Sequence, residues 1–189
     1  MNAPTAKSIL DVAQGLCQRV GFNGFSYRDI ASELGIKTSS IHYHYPTKGK
    51  LGEALLIRYR GEFTSTLANL SAETLDPTKR IQRFGEVLGG ALKDKNKLCL
   101  CAMLASELET IEPAMQTQVR SFFEDAERWL AGALSEGKES GVFAFEGNAA
   151  AVARSYLAAL QGLAIWARAF NEPARFDAGR AWLAQGLAA

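Results

Sequence analysis

Residues 24–51 constrain the fold more than any other part of this chain. Ser26 and Asp29 have the spacing of a capping box, and apolar residues follow at helical intervals. Gly35 stands where that helix should end, because glycine readily adopts the left-handed backbone that closes many helices. The stretch therefore predicts a short helix from Ser26 to Leu34, a tight turn, and a second helix after the turn.

The second helix of this stretch carries hydroxyls, imidazoles and phenols. Thr38 and Ser39 are suited to cap it, and Pro46 stops it. Two short helices with a glycine in the turn form the helix-turn-helix pattern, whose second helix enters the major groove of DNA. Hydroxyl groups bond phosphates or base edges, and a lysine at the start of the following helix suits a phosphate. The predicted DNA-binding residues are Arg28, Thr38, Ser39, Ser40, His42, Tyr43, His44 and Lys48.

A small helical core with a polar surface is the alternative explanation of this spacing. The amino-acid sequence of the segment is more specific than its spacing. It reads GFNGFSYRDIASELGIKTSSIHYHYPTKGKL, and it resembles the N-terminal DNA-binding domain of the TetR family of transcriptional regulators. The resemblance covers the first quarter to third of the chain. Gly49 departs from the family pattern, which usually has a helix former such as Glu there, and glycine costs about 1 kcal/mol of helix propensity.

The whole chain is close to electrically neutral, but its charges are unevenly distributed. The formal net charge is +1 over 189 residues. Residues 1–50 contain six Lys and Arg and three acids, whereas residues 107–127 contain six acids and one Arg. A mildly basic N-terminal part on a more acidic body fits DNA binding at one end only.

The chain is expected to be cytoplasmic, without contact with a membrane. It has no apolar run of membrane-spanning length and no apolar signal-peptide core at its N-terminus. Its three cysteines are an odd number without a disulfide framework, which suits a reducing compartment.

Helical periodicity and five prolines near helix starts indicate where the helices lie, and no strand-like alternation is long enough to predict a strand; the number of helices, nine, is what the resemblance implies. The helices are predicted at 5–20, 26–34, 38–45, 47–70, 76–94, 97–110, 113–138, 147–170 and 174–187. The resemblance implies an all-α fold in two parts. A three-helix helix-turn-helix DNA-binding domain would span residues 1–50, and a six-helix effector-binding and dimerisation body would span residues 51–189.

The last two predicted helices, at about 147–187, differ from the others. The first of them is rich in alanine and has apolar residues on more than one face. Either it is central in the monomer, or one face packs on a second subunit. The resemblance favours a homodimer through these two helices, and a two-fold dimer would present two recognition helices to a palindromic operator.

The resemblance also implies a small-molecule pocket in the body. Large apolar residues at helical spacing are either plain core or the wall of such a pocket. Glu107 and Glu109 lie either at the surface or at the pocket, and either of them would favour a cationic or hydrogen-bond-donating ligand if it faced the pocket. The candidate ligand-binding residues are Tyr59, Phe63, Phe84, Leu88, Met103, Leu104, Glu107, Phe122, Phe123, Trp129, Tyr156 and Trp166.

Cys99 and Cys101 are candidates for redox sensing. Two lysines precede them and Cys99 lies near a predicted helix start, and both features lower the pKa of a thiol. The alternative is two small buried hydrophobic side chains. His42 and His44 lack further ligands nearby in sequence, so no metal site is expected.

The patterns and the resemblance together lead us to expect a TetR-like transcriptional repressor that a small, largely apolar effector releases from a palindromic operator. The alternative is a repressor that senses oxidants or electrophiles through Cys99. No enzyme activity and no cofactor are expected, because the sequence has no phosphate-binding glycine loop, nucleophile elbow or HExxH motif.

Overall fold

The chain is all-α in a computed structural model that describes residues 5–188. Within this range the helices are α1 Ala6–Val20, α2 Tyr27–Leu34, α3 Thr38–His44, α4 Lys48–Glu73, α5 Pro77–Lys93, α6 Leu100–Ala105, α7 Pro113–Glu139, α8 Ala149–Ala169 and α9 Pro173–Gln185. A 3-10 helix spans Leu108–Thr110. The described residues contain no strand, so the predicted all-α fold, a helix-turn-helix followed by a helical body, is confirmed.

Several helices begin where a side chain accepts a hydrogen bond from a free backbone N–H group. Thr5 accepts from the Ser8 N–H at 3.2 Å before α1. Asp76 accepts from the Thr78 N–H at 2.9 Å before α5, whose first residue is a proline. Because these bonds join residues two or three positions apart, they can be read from the sequence.

The prediction of a single helix at residues 97–110 is wrong. Residues 97–99 have no regular secondary structure, α6 covers only Leu100–Ala105, and the 3-10 helix follows after a turn. Lys95 and Asn96 both have a φ of 54°, which ends α5 with left-handed backbone. At the other end, the Ser106 hydroxyl donates to the Met103 carbonyl oxygen at 2.7 Å, a local bond that competes with helix continuation.

The described residues form two compact units. The first comprises the described part of Met1–Gly61 together with Leu100–Ser121, and the second comprises Glu62–Cys99 with the described part of Phe122–Ala189. Two of the three divisions fall inside long helices, α4 and α7, and the third falls just before α6. The domain boundary predicted at residue 50 concerns function and stays a prediction.

In the first unit, α1 packs against α2, α3 and α6. Its interior consists of apolar side chains without exposure to solvent, which come from every helix of the unit. They include Ile9, Ala13, Cys17, Ile30, Ile41, Leu51, Leu56, Leu104 and Met115.

In the second unit, α9 packs against α5 and α8, and α5 also packs on α8. Arg80 is the buried cation of this unit. Its guanidinium donates to the carbonyl oxygens of Thr74 at 2.8 Å and Ser71 at 3.1 Å, and it pairs with Glu136. The free-energy cost of burying the guanidinium is offset because it pairs with a carboxylate and donates to two backbone carbonyl oxygens. None of the helices between residues 5 and 188 is long and apolar enough to cross a bilayer.

Candidate nucleic-acid interface

The helix α2 starts with the predicted capping box. The Ser26 N–H donates to Asp29 Oδ2 at 2.7 Å, and Ser26 Oγ accepts from the Arg28 N–H at 3.3 Å. The hydrogen bonds from Ser26 hold the pKa of the Asp29 carboxyl below its usual value. At the other end Gly35 is left-handed, with φ 66° and ψ 36°, as the sequence predicted.

Tyr27 ties α2 to the end of α3. Its buried hydroxyl donates to the Tyr45 carbonyl oxygen at 2.8 Å. Burial raises the pKa of this phenol to about 12, so it stays a neutral donor at physiological pH. The His42 ring packs on the Tyr27 ring with centroids 4.7 Å apart. The two helices are therefore braced by one buried hydroxyl and one ring contact.

The helix α3 buries one side and exposes polar groups on the other. Ile41 has no exposure, whereas Tyr43 is 84% exposed and Ser39 and His42 are also exposed. Thr38, Ser40 and His44 are half-buried. Lys37 is the N-terminal cap and makes no side-chain capping bond, so the prediction that Thr38 or Ser39 caps this helix is wrong. Both residues already belong to the helix.

The two basic residues predicted to contact DNA occupy different environments. Arg28 is exposed in the first turn of α2. Lys48 points back into its own unit, where its ammonium donates to the carbonyl oxygens of Phe22, at 2.5 Å, and Phe25. It also lies 4.7 Å and 4.5 Å from the centroids of the two phenylalanine rings. A contact between the Lys48 ammonium and a phosphate would therefore cost these bonds.

Gly49 has a structural explanation in the side chain of Glu112. A Cβ atom added at Gly49 would overlap the Glu112 carboxylate, which occupies the space of the missing side chain. The carboxylate lies at the first turn of α4, where a negative charge is favourable. The Lys50 N–H donates to Thr47 Oγ1 at 3.1 Å, so Thr47 caps this helix as predicted. The departure at Gly49 makes room for an acid from a distant part of the chain.

The twelve predicted ligand-binding residues are divided between the two units. Tyr59, Met103, Leu104 and Glu107 belong to the first, and the other eight belong to the second. Glu107 has different neighbours from those predicted, because its carboxylate accepts from the backbone N–H of Phe22 at 2.7 Å. Glu109 is exposed.

Within the second unit, the predicted aromatic residues form a packed cluster. Phe84 stacks on Trp129 with centroids 5.5 Å apart, and Phe63 lies 4.4 Å from Phe122. The Phe84 and Phe122 side chains are fully buried. Leu88 is also buried, and Phe123 contacts Phe122 at 5.4 Å. The cluster is filled core, so a ligand would have to displace side chains to enter it.

An open cleft of about 410 Å³ lies beside this core, among α5, α8 and α9. Tyr156, Arg180 and Glu86 supply polar groups to its wall. Burial raises the pKa of the Tyr156 phenol to about 12. Among the predicted ligand-binding residues, Tyr156 contributes to this wall, whereas Trp166 lies 48% exposed on α8. Trp166 is therefore a surface residue and not an internal wall.

The cysteines are buried and reduced. Cys99 is 3% exposed, and Cys17 and Cys101 have no exposure. Burial raises the pKa of the Cys17 thiol to about 12. Redox sensors need an accessible thiolate, so this burial disfavours the redox alternative and agrees with cysteines that fill the core.

Sequence reasoning missed the residues that support the interface from a distance. Tyr27 had a signal, since an aromatic residue in the first turn of an otherwise polar helix start suggests burial. No sequence signal indicated the position of Glu112 beside Gly49 or the bond of Glu107 to the Phe22 backbone, because the partners are far apart in the chain.

Comparisons with known proteins agree with this architecture. The family described as "Bacterial regulatory proteins, tetR family" matches residues 9–55. A TetR family transcriptional regulator from Agrobacterium tumefaciens is 32% identical, with 97% of each chain covered and a TM-score of 0.93. A TetR transcriptional regulator from Legionella pneumophila is 31% identical, with 99% of this chain and 100% of that chain covered and a TM-score of 0.87.

A third structure adds a bound small molecule. It is a putative transcriptional regulator from Saccharomonospora viridis in complex with choline, 25% identical, with 94% of this chain and 92% of that chain covered and a TM-score of 0.80. No curated protein sequence matches the chain.

Proposed function

Because this chain belongs to the TetR family of bacterial transcriptional regulators, we propose that it is a repressor that a small-molecule effector releases from DNA. The observation that carries the proposal is the exposed face of α3. Hydroxyl, phenol and imidazole groups stand there on a helix that α2 braces through the buried Tyr27 hydroxyl. Residues 1–50 would bind DNA, and residues 51–189 would bind the effector and form the dimer.

The DNA contacts would divide between base edges and phosphates. Ser39, His42 and Tyr43 are the exposed groups of α3, and they would enter the major groove. Arg28 and Lys50, which are also exposed, would contact phosphates on either side. The Lys48 ammonium would act from inside the unit by holding the segment before α2.

The dimer would form through α8 and α9. Their outer face exposes large apolar side chains, with Trp182 at 72% and Ile165 at 53%. A groove of about 500 Å³ runs between the two helices, and its wall includes Gly162, Gly179 and Leu163. Small residues allow close approach of helices, so a second copy of this face is the partner that we propose. A two-fold dimer would match a palindromic operator.

The effector would bind in the cleft among α5, α8 and α9. The cleft has the volume of a small-molecule site and presents a neutral phenol and charges of both signs, from Tyr156, Arg180 and Glu86. A small molecule that combines apolar surface with polar or charged groups fits this wall. The relative from S. viridis is in complex with choline, which is a small charged molecule of this kind.

Effector binding would change the shape of the dimer. The cleft shares α8 and α9 with the proposed dimer face, so a ligand that prefers one packing of these helices would favour one separation of the two DNA-binding domains. The ligand can act only through its different affinities for the two shapes. The proposed activity is regulation of transcription without chemical turnover of the ligand, and we expect it in the cytoplasm.

The test is fluorescence anisotropy with duplex DNA from the regions that flank the gene. The unaltered protein should bind one such duplex selectively, and its affinity should fall as salt rises. Tyr43→Ala removes a side chain that is 84% exposed on α3 and should weaken binding about tenfold or more, since one good base contact is worth about 1–3 kcal/mol.

Leu75→Ala is the matched control, because Leu75 is also 84% exposed but lies between α4 and α5. It should leave DNA affinity unchanged. If the unaltered protein binds no flanking duplex selectively, or if the two variants lose the same affinity, the proposed function is wrong.

A further inference from the structure

The turn between α1 and α2 is held by charged groups on both sides of one residue. Glu107 Oε2 accepts from the Phe22 N–H at 2.7 Å and from the Asn23 N–H at 3.4 Å. On the other side, the Lys48 ammonium donates to the carbonyl oxygen of Phe22 at 2.5 Å. Hydrogen bonds to an ionised partner are about twice as strong as those between neutral groups. Phe22 is therefore fixed by an anion at its N–H and a cation at its carbonyl.

A second bond joins the same two segments. The Asn23 side-chain amide donates to Thr110 Oγ1 at 2.7 Å. Gly21 adds a steric reason, since it has a φ of 81° and an added Cβ would overlap Glu107. The segment from Glu107 to Thr110 thus contacts three consecutive residues of the turn.

The Lys48 ammonium and the Glu107 carboxylate support each other. Burial lowers the pKa of the Lys48 ammonium, and nearby negative charge, including that of Glu107, acts in the opposite direction. The ammonium also lies over the rings of Phe22 and Phe25, an arrangement that favours a cation. Removal of Glu107 would leave the Phe22 N–H without its acceptor and weaken the charge balance around Lys48.

This turn leads directly into the helix that braces α3. Phe25 and Ser26 follow the clamped residues, and Ser26 is the cap of α2. We infer that Glu107 is a positioning residue for DNA recognition, which sets the orientation of α2 and α3 by clamping the Phe22–Asn23 backbone from outside the helix-turn-helix. This inference rests on the proposed function. It assigns Glu107 to DNA affinity and not to the effector site.

The consequence is a loss of affinity without a loss of a phosphate contact. Glu107→Ala should weaken binding to the selected duplex about tenfold, because α3 must then be ordered at the moment of binding. The slope of log affinity against log salt should stay as in the unaltered protein, since that slope counts the neutralised phosphates. Glu107→Gln keeps an oxygen that can accept from the Phe22 N–H, and it should restore affinity to within about threefold.

The experiment compares the full-length unaltered protein, the two Glu107 variants and Glu109→Ala by fluorescence anisotropy at four salt concentrations. Glu109 is an exposed acid two residues away, so its variant controls for charge alone and should bind like the unaltered protein. Urea unfolding of each protein verifies that the DNA-binding measurement is made on folded chains. If Glu107→Ala does not fold, Thr110→Val loosens the same turn by removing the bond to Asn23; it should weaken binding about threefold, and an unchanged affinity would overturn the positioning role.

Two outcomes are distinguishable. If the unaltered protein binds the duplex and Glu107→Ala binds equally well, or if Glu107→Gln is as weak as Glu107→Ala, the positioning role is wrong while the proposed function stands. If the unaltered protein itself binds no duplex selectively, the proposed function fails and this inference fails with it.

Discussion

Replacing Gly49 by alanine should stabilise the protein by an amount that depends on Glu112. Gly49 is the second residue of α4, and a Cβ atom there would overlap the Glu112 carboxylate. Alanine is favoured over glycine in a helix by about 1 kcal/mol. A carboxylate at the first turn of a helix contributes about 0.3–1 kcal/mol. The alanine methyl group and the Glu112 carboxylate would occupy the same space, so both gains cannot be obtained in full.

The expected free energies follow from this competition. The end of a glutamate side chain is flexible, so Gly49→Ala should displace the carboxylate and lose its contribution, which leaves a net gain between about 0 and 0.7 kcal/mol. In a Glu112→Ala background nothing is displaced, and the same substitution should gain the full ~1 kcal/mol. The coupling energy between the two positions should be about 0.3–1 kcal/mol.

Urea unfolding of the four proteins of this double-mutant cycle measures the coupling. A coupling of about 0.6 kcal/mol shifts the midpoint by about 0.3 M if the m-value is about 2 kcal/mol/M. Gly61→Ala is the matched control, since Gly61 is also in α4 but an added Cβ meets open space. Its gain should be the same with and without Glu112. Equal gains from Gly49→Ala in both backgrounds would refute the steric and electrostatic explanation of Gly49.

Three further predictions concern other parts of the molecule. Because the pKa of Asp29 is lowered from 3.8, its contribution to stability is present above about pH 4 and is lost as pH falls through the lower folded value. As pH falls through this range, the melting temperature of Asp29→Asn should therefore fall less steeply than that of the unaltered protein. Parallel curves for the two proteins would contradict this. Trp182→Glu should convert the proposed dimer to monomer in light scattering, whereas Leu75→Glu should not; a persistent Trp182→Glu dimer would exclude the proposed α8–α9 interface. Phe84→Ala should cost about 3–5 kcal/mol in urea unfolding, because the ring is fully buried against Trp129, and a loss below about 1 kcal/mol would show that the cluster is loosely packed.

The part of the fold that the sequence predicts well depends on contacts between neighbours in the chain. The Ser26–Asp29 capping box and the left-handed Gly35 are both present as predicted. Each involves a few consecutive residues, so local composition determines it. The prediction of one helix over 97–110 was wrong because the backbone before it is left-handed at Lys95 and Asn96 and because the Ser106 hydroxyl bonds the Met103 carbonyl oxygen, and apolar periodicity registers neither.

The candidate interface shows the same division between near and distant partners. The sequence by itself determined which groups α3 can present, because one buried Ile41 orients the whole helix. Only the tertiary structure decided how that helix is held. Lys48 turns inward to Phe22, Glu107 clamps the same residue from the opposite side, and Glu112 fills the space above Gly49. A carboxylate's partner depends on which backbone atoms the fold brings within about 3 Å, and that distance is set by packing and not by order along the chain.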